Sequence, residues 1–271
     1  MFDPLPDDLE AALEAASARL GAFAAVHFRA EVDSTNDVAL SMAAAGAPEG
    51  TSVIADVQRK GRGRRGHEWY SPAGTGLYLS VVVRPDMSYG APSVLTLGAG
   101  VAMAAAVRET TGLPVELKWP NDVVIDRPRR KLGGVLAEAV SAGSSMKAVV
   151  VGMGLNVGRM RSPVRLAGRA TSIEEELGRF IDRAALTVEL LAELRQIMVW
   201  VHAGDRARVI ARWRAFAWRA LGGPVRWSDE LGAHQGIARD VDEDGALLVV
   251  TRHGDRRIVA GEVIWEDGTG E

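Results

Sequence analysis

Residues 115–157 read VELKWPNDVVIDRPRRKLGGVLAEAVSAGSSMKAVVVGMGLNV, and this segment decides the fold. It holds four short apolar runs, VELKW, VVID, GVLAEAV and AVVVGMGLNV, and turn residues separate each run from the next. Such spacing predicts strands in close succession. Strands and helices that are mixed without regular alternation indicate an α+β domain rather than a doubly wound sheet. Within the last run, Gly152 and Gly154 predict a break in the strand, with Asn156 following at the break.

The flanking sequence indicates a second, smaller unit. After residues 222–224, Gly-Gly-Pro, the pattern changes to short alternating segments, and Asp244-Gly245 marks a tight turn between two of them. This change predicts a small β-barrel appended to the main domain, so we expect two domains, residues 1–220 and residues 221–271. The other elements expected in the first domain are helices over residues 7–25, 37–46, 92–111 and 180–220, and strands over residues 51–58 and 77–83.

The composition limits the class of protein. Of the 271 residues, 47% are hydrophobic and 25% are charged, which is ordinary for a soluble globular protein. The sequence has no cysteine, which excludes disulfides, thiolate chemistry and Cys-ligated metals and fits a reducing compartment. The start, MFDPLPDDLE, lacks the basic and apolar regions of a signal peptide, and no stretch reaches the roughly 18 apolar residues that span a bilayer. The sequence predicts a cytoplasmic protein.

Positive charge is concentrated in two short segments, although the formal net charge is −3. A negative total argues against bulk nucleic-acid binding, which usually needs a basic domain. Two cationic segments in such a chain suit a small anionic ligand better than a long polyanion, and solvated loops are the alternative. The first segment contains Arg59, Lys60, Arg62, Arg64 and Arg65, and the second contains Arg127, Arg129, Arg130 and Lys131.

The first cationic segment belongs to the run GRGRRGHEW at residues 61–69. Gly61, Gly63 and Gly66 allow the backbone to approach a ligand closely, and the arginines can offer forked donors to phosphate or carboxylate oxygens. The run lacks the spacing of a P-loop, and no helix opens after it as a dinucleotide-binding fingerprint requires. Because it follows a predicted strand and ends at Trp69, a ligand-covering loop is favoured over a disordered Gly/Arg tail.

Further polar clusters are candidates for ligand binding, and each has a plain structural alternative. Residues 33–36, DSTN, precede an apolar helix and suit an N-cap, but their hydroxyl and amide groups can also bind a urea-like or amide-like ligand. In KWPND, Asp122 suits a turn, a magnesium site or a proton acceptor, and Lys118 suits a phosphate. Lys131, which precedes Leu-Gly-Gly, is either a surface residue or points at the same anion as the arginines.

The order of these motifs resembles the biotin–protein ligase family. DSTN, Q-x-x-GRGRRG-x-x-W, KWPND, KLGGVLAE and GxGxN follow one another within residues 30–160, and the strand-rich tail agrees with the family's C-terminal barrel. The resemblance implies an α+β fold: a mixed-sheet catalytic domain of the biotin/lipoate ligase type, followed by a small SH3-like β-barrel. It also implies an enzyme that makes biotinyl-5′-AMP and pyrophosphate from biotin and ATP, and then transfers biotin to a lysine of a carrier domain.

At the reacting centre, the resemblance implies cationic side chains and one carboxylate. Arg62 and Arg64 line the biotin carboxylate and the phosphates, and Lys131 contacts both near the reacting atoms. Because preorganised cations stabilise the charge that spreads over phosphoryl oxygens, we expect the loss of Lys131 to be the most damaging. Asp122 is the candidate for holding Mg²⁺ or for accepting the proton of the attacking lysine.

The other residues implied by the resemblance divide between the two substrates. Trp69 covers the apolar part of the ligand or the adenine. The residues around biotin are Ser34, Thr35, Asn36 and Gln58, with the backbone of Gly63, Gly133 and Gly134. The residues on the nucleotide side are Asn121, Asp122 and Asn156. The substrate-binding set is completed by Gly61, Arg65 and Lys118.

The resemblance also bears on partners. Family members that repress transcription carry an N-terminal winged-helix domain, whereas here the DSTN motif begins at Asp33 and leaves room for one helix. We therefore expect a monofunctional ligase that acts on a biotin carboxyl carrier domain, binds no specific DNA and no membrane, and can dimerise by aligning sheet edges. Lipoate–protein ligase is the nearest alternative enzyme. A module that holds RNA or single-stranded DNA with its Gly/Arg loop is the alternative outside enzymes.

The charge of the Gly/Arg loop leads to one expectation about its state. Five cations lie within residues 59–65 and repel one another, while three glycines keep the run mobile. We expect residues 59–68 to be disordered without ligand and to become ordered when anionic biotinyl-AMP supplies the missing counter-charge.

Overall fold

The computed structural model describes residues 2–85, 92–125, 129–142, 145–159, 166–217, 220–229 and 232–266, so Arg127 lies outside the described residues. The helices are α1 (Asp7–Ala15), α2 (Ser17–Leu20), α3 (Thr35–Ala44), α4 (Pro92–Thr111), α5 (Ile173–Leu177), α6 (Arg183–His202) and α7 (Arg206–Ala217). The strands are β1 (Val26–Val32), β2 (Ser52–Gln58), β3 (Gly76–Val83), β4 (Glu116–Lys118), β5 (Asp122–Ile125), β6 (Arg130–Ala142), β7 (Ser145–Asn156), β8 (Pro224–Asp229), β9 (Gly232–Val241), β10 (Leu247–Thr251), β11 (Gly254–Ile258) and β12 (Val263–Trp265).

The main sheet has seven strands in the order β1-β2-β3-β7-β6-β5-β4. β1 runs parallel to β2, and each of the other neighbouring pairs is antiparallel. The strands expected within residues 115–157 are β4 to β7, and they lie side by side as one meander. A second sheet is antiparallel throughout, in the order β11-β10-β9-β8-β12. The predicted α+β class with a mixed sheet and a small all-β unit is confirmed.

The two faces of the main sheet carry different chemistry because residues two apart on a strand share a face. On β3, Leu79 and Val81 belong to the large core that contains α4, α6 and α7. The next residue, Val82, packs with Ala39 and Ala43 of α3, which covers part of the opposite face. Ser80 lies on that same opposite face, fully buried. The α3 face is therefore where polar side chains enter the sheet.

Helix α4 is the centre of the large core. Its residues from 97 to 107 are all buried, and they are mainly alanine, glycine and valine. Small side chains allow close approach: a Cβ at Gly98 would lie 2.6 Å from Ile197 of α6. On α6, an apolar stripe with a spacing of three to four residues is buried against α4, as that spacing predicts for a helix that faces a core.

Four details of the sequence interpretation were wrong. The single helix expected over residues 7–25 is α1, α2 and a 3-10 turn over Gly21–Ala24, with a break at Ala16. Strand β1 was not predicted, because VHFRAEV is an edge strand whose polar residues mask its alternation. The predicted break at Gly152 and Gly154 does not occur, since β7 is continuous through both glycines and pairs with β3 and β6 there. The single helical region over 180–220 is two helices, because Gly204 takes a φ of 72° and ends α6.

The second sheet docks on the main domain through tryptophans. The indole Nε1 of Trp119 donates to Gly245 O at 2.9 Å, and Nε1 of Trp265 donates to Trp119 O at 3.3 Å. Gly245 belongs to the predicted Asp244-Gly245 turn, which connects β9 and β10 and lies against Ser93 and Leu97 of α4. The turn therefore fixes the second unit on the first.

None of the helices in the described part of the chain combines the length and the apolarity that a membrane span requires.

Candidate functional site

A cavity of about 260 Å³ opens on the α3 face of the main sheet. Its walls come from the start of α3, the loop after β2, the turn between β4 and β5, the strands β6 and β7, and residues 261–263 of the second unit. The expected residues that line it are Ser34, Thr35, Asn36, Gln58, Arg62, Gly63, Arg64, Arg65, Trp69, Lys118, Asn121, Asp122, Lys131 and Gly134.

Three expected residues do not line the cavity. Gly133 faces the large core, where a Cβ would lie 2.7 Å from Leu155 Cδ2. Gly61 lies under Trp69, and a Cβ there would come 2.5 Å from the Trp69 carbonyl oxygen. Asn156 is 5% exposed, and its Nδ2 donates to Thr171 O at 3.0 Å. These residues support the walls of the cavity from behind.

The polar cluster at the start of α3 does not cap its helix. Ser34 occupies the N-cap position, but its side chain makes no capping hydrogen bond. Instead, Gln58 Oε1 accepts from Thr35 N at 2.9 Å and from Thr35 Oγ1 at 3.0 Å, and Gln58 Nε2 donates to Ser71 Oγ. Ser34, Thr35 and Asn36 are only 3–4% exposed. The structure thus joins α3 to the end of β2 and builds a neutral hydrogen-bonding end of the cavity.

The cations of the Gly/Arg loop have carboxylate partners, with one exception. Arg59 and Lys60 both pair with Asp33, at 3.0 and 2.8 Å. Arg65 lies 3.5 Å from Glu262 of the second unit and has a φ of 58°. These pairs reduce the repulsion on which the expected disorder of residues 59–68 rests, and the ordering of this loop by ligand stays a prediction.

Arg62 is the most strongly paired of these cations. Its guanidinium lies 2.7 Å from Asp37 and 3.2 Å from Glu138, which belong to α3 and β6. The hydrogen bond that Arg62 donates to Asp37 raises the pKa of Arg62 above its ordinary value, and Glu138 adds to the effect. Arg62 therefore ties the loop to two elements of the main domain.

Arg64 is the exception. Its Nη1 donates to Asn121 Oδ1 at 3.3 Å, and it has no ion pair among the described residues. Burial lowers the pKa of its guanidinium, although the charge of Asp122 acts in the opposite direction. A half-buried cation that faces a cavity without an ion-pair partner can accommodate an anionic group of a ligand.

Lys131 lies at the start of β6, where the backbone holds it firmly. Its N donates to Arg169 O at 2.8 Å, and its O accepts from Thr171 N at 3.0 Å. The ammonium Nζ is 2.6 Å from Asp122 Oδ1 and 5.4 Å from the centroid of the Trp69 ring. A carboxylate and an aromatic face thus fix this charge at the edge of the cavity.

Strand glycines make room for the functional side chains. A Cβ at Gly154 would lie 2.7 Å from the Trp69 indole, and one at Gly152 would lie 2.2 Å from Asn36 Oδ1. The indole Nε1 of Trp69 is buried and has no hydrogen-bond partner in the described part of the chain. The cavity is therefore a slot between the bare backbone of β7 and the side chains above it.

Sequence reasoning gave no role to several residues of the site. The alternation along β3, β6 and β7 identifies those that lie on strands, because residues two apart on a strand share a face, whereas Glu262 carries no such signal. They are Ser80 on β3, Glu138 on β6, Gly152 and Gly154 on β7, and Glu262 in the second unit.

The residues present do not form a magnesium site by themselves. No group of three or more His, Asp or Glu side chains that could hold a metal ion occurs among the described residues. Asp122, the expected ligand, pairs with Lys131 at 2.6 Å. A divalent cation at this cavity would therefore depend on oxygens supplied by a ligand.

Comparisons with known proteins agree with this arrangement. Residues 29–156 match the model of the biotin/lipoate A/B protein ligase family, and residues 221–265 match that of the biotin protein ligase C terminal domain. The main site and the second unit are thus recognised separately.

Individual proteins match over most of the chain. The bifunctional ligase/repressor BirA of Bacillus subtilis is 32% identical over 236 residues, which cover 86% of this chain and 71% of the relative. The biotin–[acetyl-CoA-carboxylase] ligase of Mycobacterium tuberculosis is 36% identical over 246 residues, which cover 87% of this chain and 86% of the relative. This chain also superposes on the biotin protein ligase from Aquifex aeolicus, whose structure is in complex with biotin and ATP. The TM-score is 0.77 at 30% identity, and the match covers 90% of this chain and 99% of that one.

Proposed function

The chain belongs to the biotin/lipoate A/B protein ligase family, and we propose that it is the ATP-dependent enzyme that attaches biotin to a biotin carboxyl carrier domain. The observation that carries the proposal is the polarity of the cavity. One end offers neutral hydrogen-bonding groups at the start of α3, and the other offers Arg64 and Lys131. Biotin has the same two ends: a neutral urea-like ring and a carboxylate that reacts with a phosphate.

In the first reaction, a carboxylate oxygen of biotin attacks the α-phosphorus of ATP, and pyrophosphate leaves with the electrons of the broken P–O bond. Negative charge grows on the phosphoryl oxygens as the bond forms. Lys131 and Arg64 provide fixed positive charge beside these oxygens, and Arg62 holds the loop in place. The ion pair with Asp122 and the Trp69 face keep the Lys131 ammonium in position before substrate arrives.

In the second reaction, the neutral amine of a carrier lysine attacks the carbonyl carbon of biotinyl-5′-AMP. The amide bond forms, AMP leaves with the electrons of the broken C–O bond, and the amine loses a proton. Asp122 is the carboxylate nearest to Lys131, and we assign it to accept that proton. It shares the turn after β4 with Asn121, so both lie at the nucleotide end of the cavity.

The other substrate contacts follow from position in the cavity. Ser34, Thr35, Asn36 and Gln58 bind the urea-like ring, and Trp69 covers the apolar part of the ligand. Lys118 and Asn121 serve the nucleotide, and Asn156 and the Gly133-Gly134 backbone position the strands beneath it. A magnesium ion would be held mainly by the phosphates of ATP, because the described residues include no group of three or more side chains that could hold it, and it would supply positive charge to the phosphoryl oxygens.

The remaining assignments are proposals as well. Residues 1–220 and 221–271 form the catalytic domain and the SH3-like barrel, which is supported by the separate sheets. The carrier domain is the macromolecular partner, as the name of the mycobacterial relative implies for that protein. We propose no specific DNA binding, because the net charge is −3, and a homodimer through an edge of the main sheet, at β1 or β4. A cytoplasmic location stays a prediction from the sequence.

The proposal is tested by incubating the purified protein with biotin and Mg-ATP, and separately with lipoate and Mg-ATP. We expect biotinyl-5′-AMP by mass spectrometry, pyrophosphate release that depends on biotin, and label on a carrier domain when one is added. Adenylation of lipoate in preference to biotin would assign the chain to the lipoate branch. Adenylation of neither acid would overturn the proposal.

A further inference from the structure

Glu138 lies on β6 behind the cavity wall, and the proposed reaction gives it no role. It is the last residue of the KLGGVLAE motif. Its Oε2 accepts from Asn36 Nδ2 at 2.6 Å and from Arg62 Nη2 at 3.2 Å. One carboxylate therefore contacts both the α3 polar cluster and the Gly/Arg loop.

Glu138, with the Leu136 carbonyl oxygen, determines which way the Asn36 carboxamide points, because Asn36 Nδ2 donates to Glu138 Oε2 at 2.6 Å and to Leu136 O at 3.4 Å. The two ends of a carboxamide have nearly the same shape, so hydrogen-bond partners decide its orientation. An ionised carboxylate only accepts, and it therefore selects the Nδ2 end. The other end, Oδ1, lies 2.6 Å from Ser80 Oγ and directly over Gly152. Asn36 is 4% exposed, so solvent does not compete for either end.

The orientation leaves the pocket with a surplus of acceptors. Three contacts link neighbouring oxygens: Thr35 Oγ1 to Gln58 Oε1 at 3.0 Å, Ser80 Oγ to Thr35 Oγ1 at 2.8 Å, and Ser80 Oγ to Asn36 Oδ1 at 2.6 Å. The two hydroxyls supply only two protons for these three contacts, so one oxygen has lone pairs without a donor. If Asn36 were reversed, Nδ2 would supply a third donor and the surplus would vanish.

We propose that Glu138 is a positioning residue that holds Asn36 with its oxygen as an acceptor, so that the pocket selects acids whose ring carries N–H donors. The proposal rests on the proposed function, because the urea-like ring of biotin supplies such donors and the dithiolane ring of lipoate does not. Through Arg62, the same carboxylate connects the recognition of the ring to the loop that carries Arg64.

The test measures KM for biotin and for ATP, kcat and Tm in matched variants. Glu138→Leu keeps a similar volume and removes both hydrogen bonds, and we expect KM for biotin to rise about tenfold or more while KM for ATP stays within about twofold. Asp37→Ala removes only the ion pair with Arg62, and we expect a change in KM for biotin of less than about threefold.

A rescue experiment separates positioning from a merely structural role. Asn36→Asp places a carboxylate against Glu138, and KM for biotin should rise about tenfold or more. The double variant N36D/E138Q restores the hydrogen bond with donor and acceptor exchanged, keeps an oxygen toward Ser80, and should return KM to within a few-fold of wild type. This pair also keeps the proposal testable where Glu138→Leu does not fold.

The outcomes distinguish the two proposals. If the wild-type protein forms no biotinyl-5′-AMP, the proposed function fails and Glu138 has no role in it. If the wild-type protein is active but Glu138→Leu leaves KM for biotin unchanged, or lowers kcat and Tm without a selective change in KM, the role of Glu138 is overturned. The role of Glu138 is also overturned if N36D/E138Q does not restore KM for biotin, or if Asp37→Ala raises KM for biotin as much as Glu138→Leu does.

Discussion

At the scale of single residues, the site is organised by which cations have counter-ions. Arg62 and Lys131 each contact a carboxylate of the protein, which fixes their positions before any ligand binds. Arg64 donates a hydrogen bond to the neutral Asn121 and forms no ion pair among the described residues, so we expect its charge to be available to a ligand. Paired cations therefore preorganise the site, and the unpaired cation contributes most of its interaction when the anion arrives.

Lys131→Ala removes the charge nearest to Asp122. We expect the rate of biotinyl-5′-AMP formation to fall by about 10²-fold or more, because a fixed charge beside the phosphoryl oxygens is lost. Stability should change little, since the backbone hydrogen bonds of residue 131 remain. Pyrophosphate release and thermal unfolding measure the two quantities. Lys60→Ala, at an exposed ion pair outside the cavity, is the control, and a near-normal rate in Lys131→Ala would show that another cation serves this role.

Arg64→Leu and Arg65→Leu form a matched pair at adjacent positions. The half-buried Arg64 guanidinium is costly to the free protein, so its replacement should leave Tm unchanged or higher while kcat/KM for ATP falls about tenfold or more. The side chain of Arg65 is 59% exposed, and its replacement should change both quantities little. Equal losses of activity in the two variants would contradict the distinction between a paired and an unpaired cation.

At the scale of elements, the alternation of side chains along each strand determines what the sequence could predict. The runs between residues 115 and 157 correctly indicated β4 to β7, because their apolar residues and turns are local signals. The same period of two would have placed Glu138 and Gly152 on the face of Gly134, but the glycines suggested a break instead. The partners across the cavity could not be predicted, since Asn36 and Glu138 are 102 residues apart and meet only through the order of the sheet. The edge strand β1 was not predicted, because a half-exposed strand has only a weak alternation of apolar and polar residues.

Gly154→Ala tests whether the bare backbone of β7 is needed beneath Trp69. A Cβ there would lie 2.7 Å from the indole, so the ring must move. We expect a changed tryptophan fluorescence, a higher KM for biotin or ATP, and a loss of about 1–3 kcal/mol in the free energy of unfolding. Gly100→Ala, within α4, is the control. Its Cβ would lie 3.4 Å from Leu117, which is an ordinary contact, and alanine favours the helix. Unchanged kinetics in Gly154→Ala would show that the slot tolerates a side chain.

At the scale of the whole molecule, the second unit completes the cavity rather than merely following it in sequence. Residues 261–263 form part of the wall, and Glu262 pairs with Arg65 of the Gly/Arg loop. The turn at Gly245 holds this unit through the Trp119 indole, and Trp119 itself precedes the Pro120-Asn121-Asp122 turn of the site. The docking contact and the nucleotide end of the cavity are thus adjacent in sequence, so a change in docking should reach the site directly.

Trp119→Phe tests this connection. The substitution keeps an aromatic ring in the core but leaves Gly245 O without its donor, which should cost about 1–3 kcal/mol of unfolding free energy and lower Tm by several degrees. Because the second unit then holds residues 261–263 less firmly against the loop, we expect KM for the substrates to rise as well. Trp200→Phe, whose indole ring contacts Arg208 on α7, is the control for loss of an indole away from the interface. A lower Tm with unchanged KM values would mean that the second unit stabilises the protein without shaping its cavity. A change in both Tm and KM would show that docking and substrate binding share the Trp119 contact.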